Sequence, residues 1–190
     1  MEKPILFSDE MVQAILDGRK TQTRRVLKIQ PPDATYKIDG TQPYFPKPYA
    51  VGDRLWVREA WRPSGVDEPA SIYYRAGGNK RCPESKDLFR LKPNDGPNVW
   101  RPSIFMPRWA SRISLVVTKI KADRIQNITD KDAIAEGIDR TGILYFAHAI
   151  QKFKKLWDSI NKKRGFGWDT NPVVWAIEFK RLPVDIQGEI

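Results

Sequence analysis

The sequence has few of the residues that build redox and metal sites. It contains one cysteine, Cys82, and one histidine, His148, among 190 residues. A single cysteine excludes an intrachain disulfide and a cysteine zinc cluster, and a lone histidine is a poor basis for a metal site. We therefore predict no metal and no cofactor, and we assign no role to either residue.

Long hydrophobic runs are also missing from the chain. Its apolar runs are far too short to span a bilayer, and the N-terminal segment lacks the apolar stretch of a secretory signal. No lipidation signal is present either. These absences argue against a membrane partner, so we expect a soluble, cytoplasmic protein.

Acidic residues are outnumbered by basic ones. The chain has 33 Lys and Arg against 23 Asp and Glu, a formal net charge of +10, and 41% hydrophobic residues. The hydrophobic content is sufficient for a core, and the length fits a single domain over residues 1–190. The excess positive charge is not needed for folding and indicates a polyanionic partner, RNA or DNA.

The most distinctive basic segment is Gly-Arg-Lys-Thr-Gln-Thr-Arg-Arg at positions 18–25. Five of the ten residues from Arg19 to Lys28 are basic. The segment follows a predicted helix that starts after Ser8 and ends at Gly18, where a left-handed residue would close it. Cations at a helix C-terminus can simply balance the helix dipole, so a solvated surface is the alternative to a binding or reactive site.

Hydrophobic periodicity predicts strands separated by a few helices and long loops. A capping box at Thr129 predicts a short helix that ends at Glu136 and is closed by Gly137. A longer amphipathic helix follows, from Phe146 to about Ile160. The pattern predicts the α+β class: a small mixed β-barrel capped by helices, with loop insertions at about 30–49 and 76–102. The predicted strands are Ile5–Phe7, Arg54–Trp61, Ser71–Arg75, Arg112–Lys121 and Pro172–Phe179.

Aromatic and basic residues are interleaved at 58–62, Trp100–Arg101 and Arg108–Trp109. This composition is typical of a groove that holds phosphates and stacks bases. The alternative is that the tryptophans fill the core, which we expect for Trp157 and Trp175. For Trp109 the two interpretations are equally good.

Other basic residues are open to the same two interpretations. Arg108 and Arg112 could bind phosphate or pair with acidic side chains. From Lys152 to Arg164 there are six basic residues and one acid, Asp158. This segment could be a phosphate track or the solvated face of a helix.

Several of these segments resemble a known family. The pattern Gly18-x-Lys20-x-x-x-x-Arg25 resembles the signature of ASCH domains, which belong to the PUA-like superfamily of small β-barrels. The segments 51–55, 128–136 and 175–179 resemble the strand entry, the short helix and the closing strand of that family. The chain is also similar to phage and prophage ASCH proteins in the segments 5–7, 18–25, 100–104, 105–112 and 156–161.

The resemblance implies a PUA-like barrel that recognises nucleic acid or a modified nucleobase, with RNA or single-stranded DNA as the partner. We expect a pocket between the basic motif, the short helix and the loop near Trp109. The residues predicted to bind nucleic acid are Arg19, Lys20, Arg24, Arg25, Arg108, Trp109 and Arg112.

Two other classes of function stay open. Some small ASCH proteins remove the acetyl group from acetylcytidine, and their catalytic lysine, threonine and glutamate correspond to Lys20, Thr23 and Glu136. Burial and nearby cations would help Lys20 act as a base, whereas Glu136 would oppose that effect. Other ASCH proteins cleave RNA, and many have an acid in place of Thr23, so this chain fits the amidohydrolase pattern better than the ribonuclease pattern. The third class is a phage assembly or regulatory adaptor with an unknown protein partner.

Overall fold

A computed structural model describes residues 2–28, 30, 46–63, 71–81, 99–139 and 147–183. The helices in these ranges are α1 (Asp9–Leu16), α2 (Asp130–Ala135) and α3 (Ala147–Asn161). No helix in the described residues is long and apolar enough to cross a membrane. The strands are β1 (Glu2–Leu6), β2 (Gln22–Val26), β3 (Arg54–Arg58), β4 (Trp61–Pro63), β5 (Ser71–Tyr74), β6 (Asn79–Arg81), β7 (Ser114–Arg124) and β8 (Val173–Arg181).

The strands form two sheets, with the orders β1-β3-β7-β8-β2 and β4-β5-β6. β1 pairs with β3 in parallel, whereas the pairs β2–β8, β3–β7, β4–β5 and β5–β6 are antiparallel. The α+β class is confirmed. Within the described residues the barrel is not closed, because each sheet has two end strands.

The two described sheets separate at a point where the sequence predicts one continuous strand. The sequence from Arg54 to Trp61 predicts a continuous strand, but β3 ends at Arg58 and β4 begins at Trp61. β3 belongs to the larger sheet and β4 to the smaller one. The chain therefore leaves the first sheet at Glu59 instead of extending it.

The chain forms two compact units, each assembled from separate segments. The described residues within 1–16, 53–116 and 181–190 form unit 1, and those within 17–52 and 117–180 form unit 2. Of the predicted insertions, 31–45 and 82–98 lie outside the described residues. The second predicted insertion also contains β6, which pairs with β5.

Unit 1 contains α1 and a small aromatic core beside the second sheet. Helix α1 begins as predicted, since the Val12 amide donates to the Ser8 carbonyl at 2.9 Å. Its first turn carries acidic residues, which the helix dipole stabilises. The core cluster consists of Trp61, Ile72, Tyr74, Met106 and Ala110.

Unit 2 packs α2 and α3 against strand β8. The predicted capping box is confirmed: the Thr129 hydroxyl accepts from the Asp132 amide, and the Asp132 carboxylate accepts from the Thr129 amide. Gly137 follows with φ +95°. Trp157 and Trp175 are buried at 4% and 7% exposure, as predicted for core residues.

Strand β2, like β6, is an element that the sequence did not predict. It runs antiparallel to β8, and Arg24 lies opposite Ala176. The segment is rich in Arg, Gln and Thr, so it has no hydrophobic alternation of its own. Its extended conformation comes from pairing with the apolar strand β8, which is distant in sequence.

Candidate functional site

The candidate site lies in unit 2, where the chain entering β2 passes the end of α2. Gly18 adopts φ +73°, a left-handed conformation that glycine allows at low cost, and it ends the α1 region as predicted. Within the basic motif, the Thr21 amide donates to the Ala135 carbonyl at 2.8 Å. This backbone contact holds the motif against the C-terminal end of α2.

Lys20 is a buried cation held by three oxygen acceptors. It is 2% exposed, and its Nζ donates to the Gln22 carbonyl at 2.8 Å, the Glu136 carbonyl at 2.7 Å and the Glu136 Oε2 at 3.0 Å. Burial is the largest influence on its pKa and lowers it, while Glu136 raises it and the two neighbouring arginines lower it further. The net result is a lysine pKa below the usual 10.5.

Arg24 is the second buried cation of the site. Its Nη1 donates to the Glu136 Oε1 at 3.0 Å and to the Gln22 Oε1 at 2.6 Å, and its Nη2 lies 3.4 Å from the Asp132 Oδ2. Each carboxylate oxygen of Glu136 therefore contacts a different cation. We call Lys20, Gln22, Arg24, Asp132 and Glu136 the buried network.

The capping box of α2 also belongs to the buried network, through Asp132. Burial raises the pKa of this carboxyl, but hydrogen bonds from Thr129 and Gln22 and the charge of Arg24 outweigh burial. The pKa consequently lies below its usual 3.8. The first turn of α2 thus also helps to hold the basic motif.

Arg25, next to the buried network, is exposed. The surrounding protein nevertheless desolvates its guanidinium enough to lower its pKa, an effect that Glu136 and Tyr49 oppose. Arg25 thus keeps part of its surface in contact with solvent, beside a network whose own cations are buried.

Arg19 lies at the surface of the same unit. Its Nε and Nη2 donate to Asp17 at 3.3 and 2.9 Å, and its Nη1 donates to the Gly137 carbonyl at 3.2 Å. An exposed pair of this kind contributes little stability. The guanidinium remains accessible to an anionic partner.

Thr23 is placed differently from the other two predicted catalytic residues. It is 2% exposed and lies opposite Ile177 in the sheet. Side chains alternate along a strand, so Thr23 lies on the face of β2 opposite to Gln22 and Arg24. In the described part of the chain, no hydrogen bond joins its hydroxyl to Lys20 or Glu136. The structure therefore brings Lys20 and Glu136 together but leaves out the predicted nucleophile.

The remaining predicted binding residues lie in unit 1. Arg108 donates to both carboxylate oxygens of Glu2, at 2.7 and 3.1 Å, and this hydrogen bonding is the main reason that the pKa of Glu2 is below its usual value. Arg112 donates to both oxygens of the buried Glu59, at 2.9 and 2.8 Å. Both arginines thus pair with acids, one of the two interpretations that the sequence left open.

Trp109 is partly buried and packs on the aromatic core of unit 1. Its ring meets that of Trp61 edge to face, with 6.0 Å between centroids. The core interpretation accounts for this contact.

Sequence reasoning missed three residues of these sites: Gln22 and Asp132 in the buried network, and Glu59 beneath Arg112. A signal for the network existed, because Lys20, Gln22 and Arg24 are spaced two apart, as residues on one face of a strand are. Within the described ranges, no group of three or more His, Cys, Asp or Glu residues is arranged to hold a metal ion.

Comparisons with known proteins give structural similarities at low sequence identity. No family model and no curated protein matches the chain. A crystal structure from Enterococcus faecalis, described with the family model DUF984, is 12% identical with a TM-score of 0.47, over 100% of this chain and 86% of that one. An ASCH domain from Lactobacillus crispatus is 13% identical with a TM-score of 0.45, over 95% and 79% of the two chains. Membership of the ASCH family and of its phage subfamily stays a prediction.

Proposed function

We propose that the chain binds nucleic acid or a modified nucleobase through unit 2, with RNA or single-stranded DNA as the partner. The observation that carries this proposal is the contrast between two adjacent arginines. Arg24 is buried against Glu136 and Asp132, whereas Arg25 is exposed. The buried network contains two cations and two carboxylates, and Arg25 carries its positive charge at the surface beside it.

An exposed guanidinium is suited to an anionic or base-edge ligand. It presents a planar fork of donors that can bind a phosphate or the edge of a base with two hydrogen bonds. Arg19 supplies a second exposed cation in the same unit, and the net charge of +10 favours association with a polyanion.

The proposal can be tested by fluorescence anisotropy with labelled RNA and DNA single strands at several salt concentrations. Arg25→Ala should weaken binding about tenfold, because a hydrogen bond to a charged group is lost. If that contact is to a phosphate, the slope of log affinity against log salt should also fall by about 0.7. Arg25→Lys should recover part of the affinity by restoring the charge.

Lys119→Ala is the matched control, since it removes one exposed positive charge elsewhere in unit 2. It should change affinity less than Arg25→Ala does. Equal affinities for wild type and Arg25→Ala, or wild-type binding that does not respond to salt, would contradict the proposal.

A second candidate is hydrolysis of acetylcytidine, and the contact between Lys20 and Glu136 favours it. The lysine is buried, its pKa is lowered, and a carboxylate holds its Nζ. Such a lysine could accept a proton, with Glu136 orienting it. Thr23 would have to approach Lys20 for this chemistry. The ribonuclease and adaptor alternatives stay predictions.

Chromatographic detection of acetylcytidine hydrolysis tests this second candidate. Thr23→Val keeps the size of the side chain and removes the hydroxyl, so it should abolish turnover while the protein stays folded. Retained turnover in Thr23→Val would remove Thr23 as the nucleophile. Absence of turnover in the wild type would reject acetylcytidine as the substrate.

A further inference from the structure

The second sheet of unit 1 positions aromatic and basic residues in register. Trp61 lies opposite Tyr74, and Arg62 lies opposite Tyr73. Arg101 forms a bridge with Trp61, in which the two residues exchange backbone hydrogen bonds at 2.8 and 3.2 Å. This bridge fixes the position of the preceding residue, Trp100, beside β4.

Alternation of side chains sorts these residues into two rows. The inner row contains Tyr74, Trp61 and Arg101, which are 3%, 0% and 9% exposed. The outer row lies on the opposite face and contains Tyr73, Arg62 and Trp100. The inner row is part of the core, whereas in the outer row Tyr73 and Arg62 are partly buried and Trp100 is exposed.

The side chains of the outer row stack on one another. The Arg62 Cζ lies 4.7 Å from the centroid of the Tyr73 ring and 5.5 Å from that of Trp100. The Arg75 Cζ lies 5.1 Å from the centroid of the same Trp100 ring. We call Tyr73, Arg62, Trp100 and Arg75 the cation–aromatic ladder.

The ladder carries two arginines; its exposed members are Trp100 and Arg75, whereas Tyr73 and Arg62 are partly buried. Trp100 is 38% exposed, and exposed apolar side chains lie near it in sequence, including Phe105 at 70%. Arg75 reaches an acid, Asp9, only at 4.0 Å. Surface packing alone would account for stacked side chains, but a partly exposed indole beside two guanidiniums also matches the chemistry of an unpaired base and its phosphates.

We propose that the cation–aromatic ladder is a second nucleic-acid contact, which stacks unpaired bases of a single strand on Trp100 and the adjacent guanidinium planes. This inference rests on the proposed function, since it assumes that the chain binds nucleic acid. Aromatic and guanidinium planes both stack on bases, and every base has a π face, so the contact tolerates different sequences. Arg62 and Arg75 also neutralise neighbouring phosphates. The positive charge of the ladder favours this occupant over a protein.

Labelled oligo-uridine and oligo-deoxythymidine test the inference, together with abasic strands that have the same number of phosphates. Trp100→Ala should weaken binding to the base-bearing strands about tenfold and leave binding to the abasic strands unchanged. Trp100→Phe keeps an aromatic ring and should restore most of the affinity. Tryptophan fluorescence should be quenched on binding by the wild type more than by Trp100→Phe.

The outcomes separate this inference from the proposed function. If Arg25→Ala weakens binding and Trp100→Ala does not, the inference that the ladder stacks bases is overturned and the proposed function stands. If the wild type binds no single strand at any salt concentration, both are overturned. If Trp100→Ala weakens binding to base-bearing and abasic strands equally, stacking on bases is rejected.

Discussion

One cluster of cations in each unit has surroundings opposite to those of the other. In unit 2, Arg24 and Lys20 are buried and neutralised by Glu136 and Asp132. In unit 1, Arg62 and Arg75 lie beside the exposed Trp100 ring. The first arrangement stabilises local structure, and the second places guanidiniums next to an aromatic ring that solvent reaches.

This difference shows that a basic motif need not be a basic surface. The sequence segment 18–25 has no acid of its own, so it suggests an external anion. The protein itself supplies part of the negative charge, because the Glu136 carboxylate accepts a hydrogen bond from both Lys20 and Arg24. Only the exposed arginines of the motif are placed to reach a ligand.

The largest effect is expected from Glu136→Gln, which leaves Lys20 and Arg24 without their shared carboxylate. Breaking a buried ion pair from one side costs about 3–5 kcal/mol of unfolding free energy. Glu178→Gln is the control, because the pair of Glu178 with Lys119 is exposed and should cost at most about 1 kcal/mol. Urea unfolding measures both, and equal losses would contradict the buried network.

A smaller effect is expected in unit 1 from Gly78→Ala. The new Cβ would lie 2.8 Å from the Arg112 Nη1, and the backbone has φ +81°. Strain and displacement of Arg112 from Glu59 together should cost about 2–3 kcal/mol. Gly77→Ala has φ +88° and no atom within 4 Å, so it should show the strain alone, about 1–2 kcal/mol in urea unfolding. A greater loss of unfolding free energy in Gly77→Ala than in Gly78→Ala would show that Arg112 is not held against Gly78.

The buried network predicts a pH dependence through Asp132. Its folded pKa is below the usual 3.8, so its stabilising contribution is present above that pH and is lost as the pH falls through the folded value. Asp132→Asn should therefore cost about 1 kcal/mol at neutral pH, and the difference from wild type should shrink below pH 3.8. Urea unfolding at several pH values measures this difference. A difference in unfolding free energy between wild type and Asp132→Asn that grows as the pH falls would contradict this prediction.

The smallest effect on stability is expected from Trp100→Ala. Each cation–π contact at an exposed site contributes about 0.5–1 kcal/mol within about 6 Å of the ring centroid. Trp100 makes two such contacts, at 5.5 and 5.1 Å, near that limit, so the lower value applies to each. The unfolding free energy should therefore fall by about 1 kcal/mol, which thermal or urea unfolding can resolve. A loss as large as that of Glu136→Gln would show that Trp100 is part of the core, and the contrast between the two units would fail.

Local signals in the sequence predicted the helices better than the strands. Ser8 and the capping box at Thr129 correctly located the starts of α1 and α2, because caps depend on nearby residues. Strand β2 depends on β8, which is distant in sequence, and the break at Glu59 is hidden inside an alternating pattern. Non-local pairing of this kind cannot be read from one segment.

The sequence likewise predicted part of the candidate site and missed the part that depends on strand β2. Lys20 and Glu136 were expected together from the family resemblance, and they are in contact. The face of the sheet on which Thr23 lies depends on how β2 pairs with β8, and the sequence did not predict this strand. The same omission hid the role of Gln22 and the different surroundings of Arg24 and Arg25.

The most direct test compares Arg24→Met with Arg25→Ala, two adjacent positions, by unfolding and by anisotropy with a labelled single strand. We predict that Arg24→Met lowers stability by about 3–5 kcal/mol. Arg25→Ala should change stability by less than about 1 kcal/mol and weaken binding about tenfold. An Arg25→Ala variant that binds as tightly as the wild type would contradict the account.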